Sequence, residues 1–243
     1  MSARSDSPAS PPRTPRARAR VEAIERIKEL AWNQLADSGA AALSLRAISR
    51  EMGMVSSALY RYFPSREALL TALIVDAYED LAATLSTSAT EVVPAAASGR
   101  RRAGPQREQW KWVCTALRQW ALTEPHRFAL IYGSPVPGYV APQETIEPAG
   151  RVMAQFLQVA AAAPGPVPAP QVPSGQLSEQ LQRLTGAIDL QIPLPRALAA
   201  VEAIGLLFGL LTLELGGHLI GTFEPADALY EHAVTRGADL IGL

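Results

Sequence analysis

The most chemically suggestive stretch of the chain is SLRAISREMGMVSSALYRYF, residues 44–63. It divides into two short helical runs around a tight turn at Gly53, the spacing of a helix-turn-helix. Leu45, Ile48, Met52, Val55 and Leu59 are placed to lock the two runs together. The remainder of the second run is polar: Ser56, Ser57, Tyr60, Arg61 and Tyr62. Short side chains at its start let the backbone approach a groove or a phosphate, while Arg61 and the tyrosines supply donors. That donor set suits a polyanion with acceptor-lined edges, which is duplex nucleic acid. A plain helical hairpin with exposed tyrosines fits the same spacing, so the stretch leaves both open.

Other chemistries are poorly served. There is no nucleophile–base pair, no phosphate loop and no metal-ligand spacing, so no catalytic residue, metal ligand or cofactor is expected. A single cysteine, Cys114, excludes an internal disulfide framework and a cysteine-based zinc cluster. Histidine occurs only at 126, 218 and 232. The formal net charge of −1 hides an asymmetry. Residues 1–66 carry eleven basic groups against six acidic, a sum of +5, and residues 67–243 carry eleven against seventeen, a sum of −6. A basic front joined to an acidic body suggests a polyanion-binding module on a different sort of domain; a basic tail alone would give the same split.

Helical periodicity dominates the 243 residues, and the expected fold class is all-α. Residues 1–19 are rich in Ser, Pro and Arg and are expected to be a disordered basic arm, with Arg13, Arg16, Arg18 and Arg20 available to an adjacent groove or to nonspecific attraction. Val21, Ile24, Ile27, Ala31 and Leu35 mark an amphipathic helix that Gly39 stops. Ser44 is placed to cap a helix over 45–52, Gly53 to end it, and Ser56 to cap another running to about Phe63. Pro64 ends that one and Ser65 caps a long fourth helix to about residue 89. The loop holding Arg100, Arg101 and Arg102 is read as solvated. In the body, helices are expected through Trp110–Ala121, over 125–132, 143–163, 176–190, 195–220 and 225–241, with a Pro-rich connector at 164–175. The longest apolar run, 203–213, is short for a membrane span; no membrane partner and a cytoplasmic location are expected.

The run LSLRAISREMGMVSSALYRYFPSREALLTAL resembles the DNA-binding domain of the TetR family of transcriptional regulators, most clearly in LYRYFPSREALL. The resemblance implies a three-helix DNA-binding domain over 20–66 and a helical ligand-binding and dimerisation domain over 67–243. It further implies a homodimer on a near-palindromic double-stranded DNA operator, usually a repressor that an unidentified small-molecule effector releases. An alternative is a regulator whose body only dimerises or binds a protein partner. Carried across position by position, Ser44, Arg46 and Arg66 would meet phosphates. Ser56, Ser57 and Ala58 would face base edges. Tyr60 and Tyr62 would contact phosphate or thymine methyls, and Arg61 a base or a phosphate.

The body resembles the branch of that family with a Trp-His-Gly helix. The pattern departs in GLLFGLLTLELGGHL, where Leu207 and Phe208 stand in place of the Trp and His and Gly209 remains. Gly205 and Gly209, four apart, share a helix face that permits close approach; with Leu213 and Leu229 they are the candidate dimer contacts. Trp110, Trp120, Phe128, Tyr132, Phe156 and Phe208 are candidate ligand-binding residues, each also explicable as core. Glu214, a carboxylate in an apolar helix, needs a partner if buried and is the polar candidate; His126 is a second, equally explicable as a helix cap.

Overall fold

The computed structural model describes residues 14–90, 104–167, 172 and 174–243. The described residues form helices and contain no strand. The ten α-helices are α1 Pro15–Ser38, α2 Leu45–Glu51, α3 Ser56–Leu59, α4 Arg66–Thr90, α5 Pro105–Thr123, α6 Pro125–Tyr132, α7 Ile146–Ala161, α8 Gln176–Ala187, α9 Leu194–Leu215 and α10 Asp227–Ile241. Arg13, Arg100, Arg101, Arg102 and part of the Pro-rich connector lie outside the described residues.

The chain divides into two compact units, Met1–Leu73 and Ile74–Leu243. The division falls inside α4 because Leu69, Leu70 and Leu73 on its first turns are fully buried within the first unit. That unit also buries Ile27, Leu30, Ala31, Leu35, Leu43, Leu45, Ile48, Leu59 and Phe63. Its first helix starts earlier than expected, which shortens the basic arm: residues 15–19 are helical. Thr14 is the reason, since its hydroxyl accepts from the Ala17 N–H at 3.2 Å and Pro15 takes the first helical position, where a missing N–H costs nothing.

In the second unit one apolar cluster joins α4, α5, α7, α9 and α10. Trp110, Phe156, Leu117, Leu157, Leu207 and Leu211 are fully buried in it. Several ends differ from the periodicity. Helix α7 begins at Ile146 after a 3₁₀ turn over Gln143–Thr145, α9 stops at Leu215, and α10 begins at Asp227. Gly216 and Gly217 follow α9 directly, and Gly217 takes a left-handed φ of 73° that helix cannot continue through.

The eleven-residue apolar run proves to be part of a 22-residue helix, α9, which is long and apolar enough to cross a membrane by length and composition, with a mean hydropathy of 1.9. Its buried side, from Ala197 through Ala200, Ala203, Ile204, Leu207 and Leu211, packs in the core. Arg196 is buried at its start, donating Nη1 to Ala163 O at 3.0 Å and Nη2 to Gly165 O. One third of its most apolar window is buried.

Candidate nucleic-acid interface and ligand site

Helices α2 and α3 are joined by a turn in which Gly53 adopts φ +65°, a conformation that costs a non-glycine residue about 1–2 kcal/mol. Ser44 caps α2: its Oγ accepts from Ala47 N–H at 3.3 Å while its own N–H donates to Gln34 Oε1 at 3.0 Å. Ser44 is half-buried and Arg46 and Arg50 are exposed. The second helix does not follow expectation. Val55, not Ser56, is its cap residue, with no side-chain bond, and regular α-helix ends at Leu59. The chain continues to Phe63 in tightened turns, Arg61 N–H to Ala58 O at 3.3 Å and Tyr62 N–H to Leu59 O at 2.9 Å. Pro64 explains the tightening, because the residue before a proline resists the helical region.

Val55 is also a correction to the packing assignment. It is 71% exposed, and Leu45, Ile48 and Leu59 do the locking instead. Ser56 Oγ lies 3.1 Å from Ser49 Oγ, which ties the two helices together at the turn. Ser57, Tyr60 and Arg61 are exposed, and Ser56, Ala58 and Tyr62 half-buried. One face therefore carries Ser57, Ala58, Tyr60, Arg61 and the unexpected Val55. The Arg20 guanidinium sits 5.3 Å over the Tyr62 ring, so this arm residue packs on the recognition element from a helix.

Arg66, expected at a phosphate, turns two of its nitrogens to the backbone of its own unit. Its Nε donates to Leu43 O at 3.1 Å, and its Nη2 to Ala40 O at 2.7 Å and Ala41 O at 3.2 Å. Nε and Nη2 are thereby engaged inside the unit. Beside it, the Glu67 carboxyl is held below its ordinary range by its own backbone N–H and by Ser65.

In the body, five of the six aromatic candidates, all but Trp120, form one chain of rings. Trp110 meets Phe156 edge-on at 5.9 Å, Phe156 meets Phe208 at 6.4 Å, and Phe208 contacts Tyr132 at 4.3 Å and stacks on Phe128 at 6.2 Å. Tyr132 in turn meets Tyr78 edge-on at 5.9 Å. The chain has a closed end and an open one. Trp110 and Phe156 are fully buried, and the Trp110 indole N–H donates to Val234 O at 3.0 Å; these two are core. Trp120 is core as well, its N–H donating to Asp80 Oδ2 at 2.8 Å, a carboxylate that Arg127 Nη1 also reaches at 3.1 Å. Trp112 is exposed. At the open end Phe208, Tyr132 and Tyr78 are half-buried. Burial, reinforced by neighbouring Tyr139, raises the Tyr78 phenol, and burial with Tyr78 nearby raises Tyr132.

Glu214 is not a waiting ligand group. Arg118 of α5 grips its carboxylate with two bonds, Nε–Oε2 at 3.0 Å and Nη2–Oε1 at 2.7 Å, and reaches Asp227 with Nη1 at 2.9 Å. The same guanidinium lies 5.5 Å over the Tyr230 ring. Arg118 was missed in the sequence, where it is one of three cations on α5 and nothing in the spacing pairs it with Glu214. His126 stays below its ordinary value, mainly through burial, with Glu124 3.5 Å away. Among the described residues no group of His, Cys, Asp or Glu is arranged to hold a metal.

An all-helical body carrying a helix-turn-helix unit is the architecture of a DNA-binding transcriptional regulator. A profile for bacterial regulatory proteins of the tetR family matches residues 27–73, and one for the tetracyclin repressor-like C-terminal domain matches residues 110–236, more than half of the chain. The chain belongs to the TetR family. Among curated proteins it resembles the HTH-type transcriptional regulators Rv1816 of Mycobacterium tuberculosis (strain ATCC 25618 / H37Rv) and Mb1846 of Mycobacterium bovis, each 49% identical over 147 residues. That stretch is 60% of this chain and 58% of theirs, so under two thirds of each relative is matched. Among solved structures, SCO4313, described as regulatory, is 34% identical with a TM-score of 0.69, covering 95% of this chain and 100% of that one. A tetR-family transcriptional regulator from Streptomyces coelicolor shares the fold at 20% identity and a TM-score of 0.58, covering 90% and 80% of the two chains.

Proposed function

We propose that the protein is a homodimeric repressor that leaves a near-palindromic operator when a small-molecule effector enters its body. The observation that carries the reading is a stripe on α9. Glu202, Gly205, Leu206, Gly209, Thr212 and Leu213 recur at spacings of three and four and are all exposed, Leu206 at 48% and Leu213 at 43%. An apolar helix with such a face wants a partner, and the two glycines let a second copy of the helix come close. With α10, which carries Leu229 and lies along α9, the face suits a four-helix seam about a twofold axis.

In this reading residues 20–66 hold the operator and residues 67–243 dimerise and sense. Ser56, Ser57, Ala58 and Arg61 read base edges; Ser44, Arg46, Tyr60 and Tyr62 fix register on phosphates. The effector is held at the open end of the aromatic chain by Tyr132 and Phe208, with Tyr78 beside them and the buried Phe128 behind. Bound effector favours a spacing of the two recognition elements that misses successive major grooves, a population shift. Operator and effector then weaken each other reciprocally. The protein works in the cytoplasm and needs no membrane or cofactor. A second reading, a body that only dimerises or holds a protein partner, is favoured by the packed state of Trp110, Phe156 and Glu214.

The test is selection of genomic fragments by the purified protein at near-physiological salt, followed by challenge of the complex with apolar and aromatic metabolites. A shared near-palindrome released by one compound supports the proposal. A palindrome that no compound releases supports the second reading, and fragments without a common sequence refute both.

A further inference from the structure

We propose that Arg66 is a positioning residue for the recognition unit rather than a ligand of DNA phosphate. The proposal rests on the DNA-binding reading above for its consequence, though not for its geometry. The segment between α1 and α2 turns sharply: Gly39 takes φ +73°, residues Ala40–Ala42 form one 3₁₀ turn, and Leu43 leads into the Ser44 cap. Its carbonyls at Ala40, Ala41 and Leu43 converge on the Arg66 guanidinium, whose Nε and Nη2 make bonds of 3.1, 2.7 and 3.2 Å to Leu43, Ala40 and Ala41. A cation against the carbonyl end of a helical turn is electrostatically favoured, and bonds from a charged donor are stronger than neutral ones.

The entry to α2 is consequently gripped from two helices. Gln34 of α1 accepts the Ser44 N–H at 3.0 Å, and Arg66 of α4 holds the carbonyl of the residue before it. Ser44 and Arg46 follow at once, so the grip sets where α2 starts and how those two residues face a backbone. Arg66 is the first residue of α4. A shift of that helix along its axis is therefore handed to the carbonyls ahead of α2. The planar fork matters: two nitrogens of one rigid group reach three carbonyls, which the point-like ammonium of a lysine cannot reproduce.

Two measurements on the full chain test this, using Arg66→Lys and Arg66→Ala. In the free protein, amide exchange of residues 45–49 should quicken about tenfold or more in both variants, because the bonds that suppress local opening are lost. On the selected operator, both variants should bind more weakly than wild type with the slope of log affinity against log salt unchanged. A phosphate ligand behaves differently: Arg66→Ala lowers that slope by about one and Arg66→Lys restores binding. Unchanged exchange in both variants, or a lowered slope with lysine rescue, overturns the proposal. If Arg66→Ala fails to fold, Arg66→Lys carries both measurements. A wild-type protein that bound no DNA would sink the DNA-binding reading and leave the exchange measurement decisive.

Discussion

Replacing Glu214 by alanine should destabilise the body, and the size follows from its surroundings. The Arg118 and Glu214 side chains are each only 16% exposed, while Asp227, the other anion on Arg118, is 60% exposed. Removing Glu214 leaves a mostly buried guanidinium with one solvent-weakened partner. Breaking a buried pair by deleting one member costs about 3–5 kcal/mol. The residual exposure and the surviving Asp227 contact bring this to about 2–3 kcal/mol. For a unit of 150–250 residues each kcal/mol is worth about 2–4 °C, so the melting temperature should fall by about 4–12 °C. The assay is calorimetry of Glu214→Ala, Arg118→Ala and the double variant. Because the two share a contact, the double loss should fall short of the sum of the singles by about 1–3 kcal/mol. A Glu214→Ala protein that melts like wild type would refute the clamp and return Glu214 to the ligand candidates.

Further outcomes follow from single residues. Val55→Ser should raise the stability of the first unit by about 1 kcal/mol in denaturant titration, because a cap side chain is supplied where none now bonds. Gly237→Ala should lower body stability by about 1–3 kcal/mol through overpacking, since the new Cβ would lie 3.1 Å from both Ala203 Cβ and Trp110 Cζ2; tryptophan emission should shift with it. Alkaline titration should defer part of the phenolate absorbance: Tyr78, Tyr132 and Tyr230 are all raised, burial being the first cause in each. A folded value above the unfolded one means stability is intact below the ordinary phenol value and is lost as pH climbs past it, so the deferred absorbance should appear together with unfolding.

Much of this was legible locally. Ser44 and Gly53 bracket α2 because a cap and a left-handed glycine each act on their immediate neighbours, and Pro125 starts α6 at the first helical position, where its missing N–H costs nothing. The failures share a cause as well. Val55 was assigned to the core by residue type, yet its position in the turn faces it outward, a matter of backbone path rather than hydropathy. Composition alone reads residues 1–19 as disordered, whereas the Thr14 cap makes Pro15 a helix start. The Arg118–Glu214 grip joins positions 96 apart, and the Arg66 grip joins a side chain to carbonyls, which every residue has. Neither leaves a periodic trace.

The recognition element is too small to be specific alone, and that bears on α9. Regular α3 spans four residues, Ser56–Leu59, and Arg61 is the one guanidinium in the following turns. A bidentate contact to guanine discriminates by about 1–3 kcal/mol, whereas specific sites exceed nonspecific DNA by about 4–10 kcal/mol. Two copies on a symmetric site bring the total into range. Gly209→Arg separates the two contributions. No atom lies within 4 Å of a Cβ added at Gly209, and arginine is the better helix former by about 1 kcal/mol, so the single chain should fold as before. The seam proposed between two copies of α9 would not tolerate the buried charges. The expected result is a monomer by light scattering, helical by circular dichroism, whose operator affinity falls toward the nonspecific level and whose salt slope is roughly halved. A Gly209→Arg protein that stays dimeric would place the seam elsewhere; one that turns monomeric and still picks its operator from competitor DNA would refute the need for two copies.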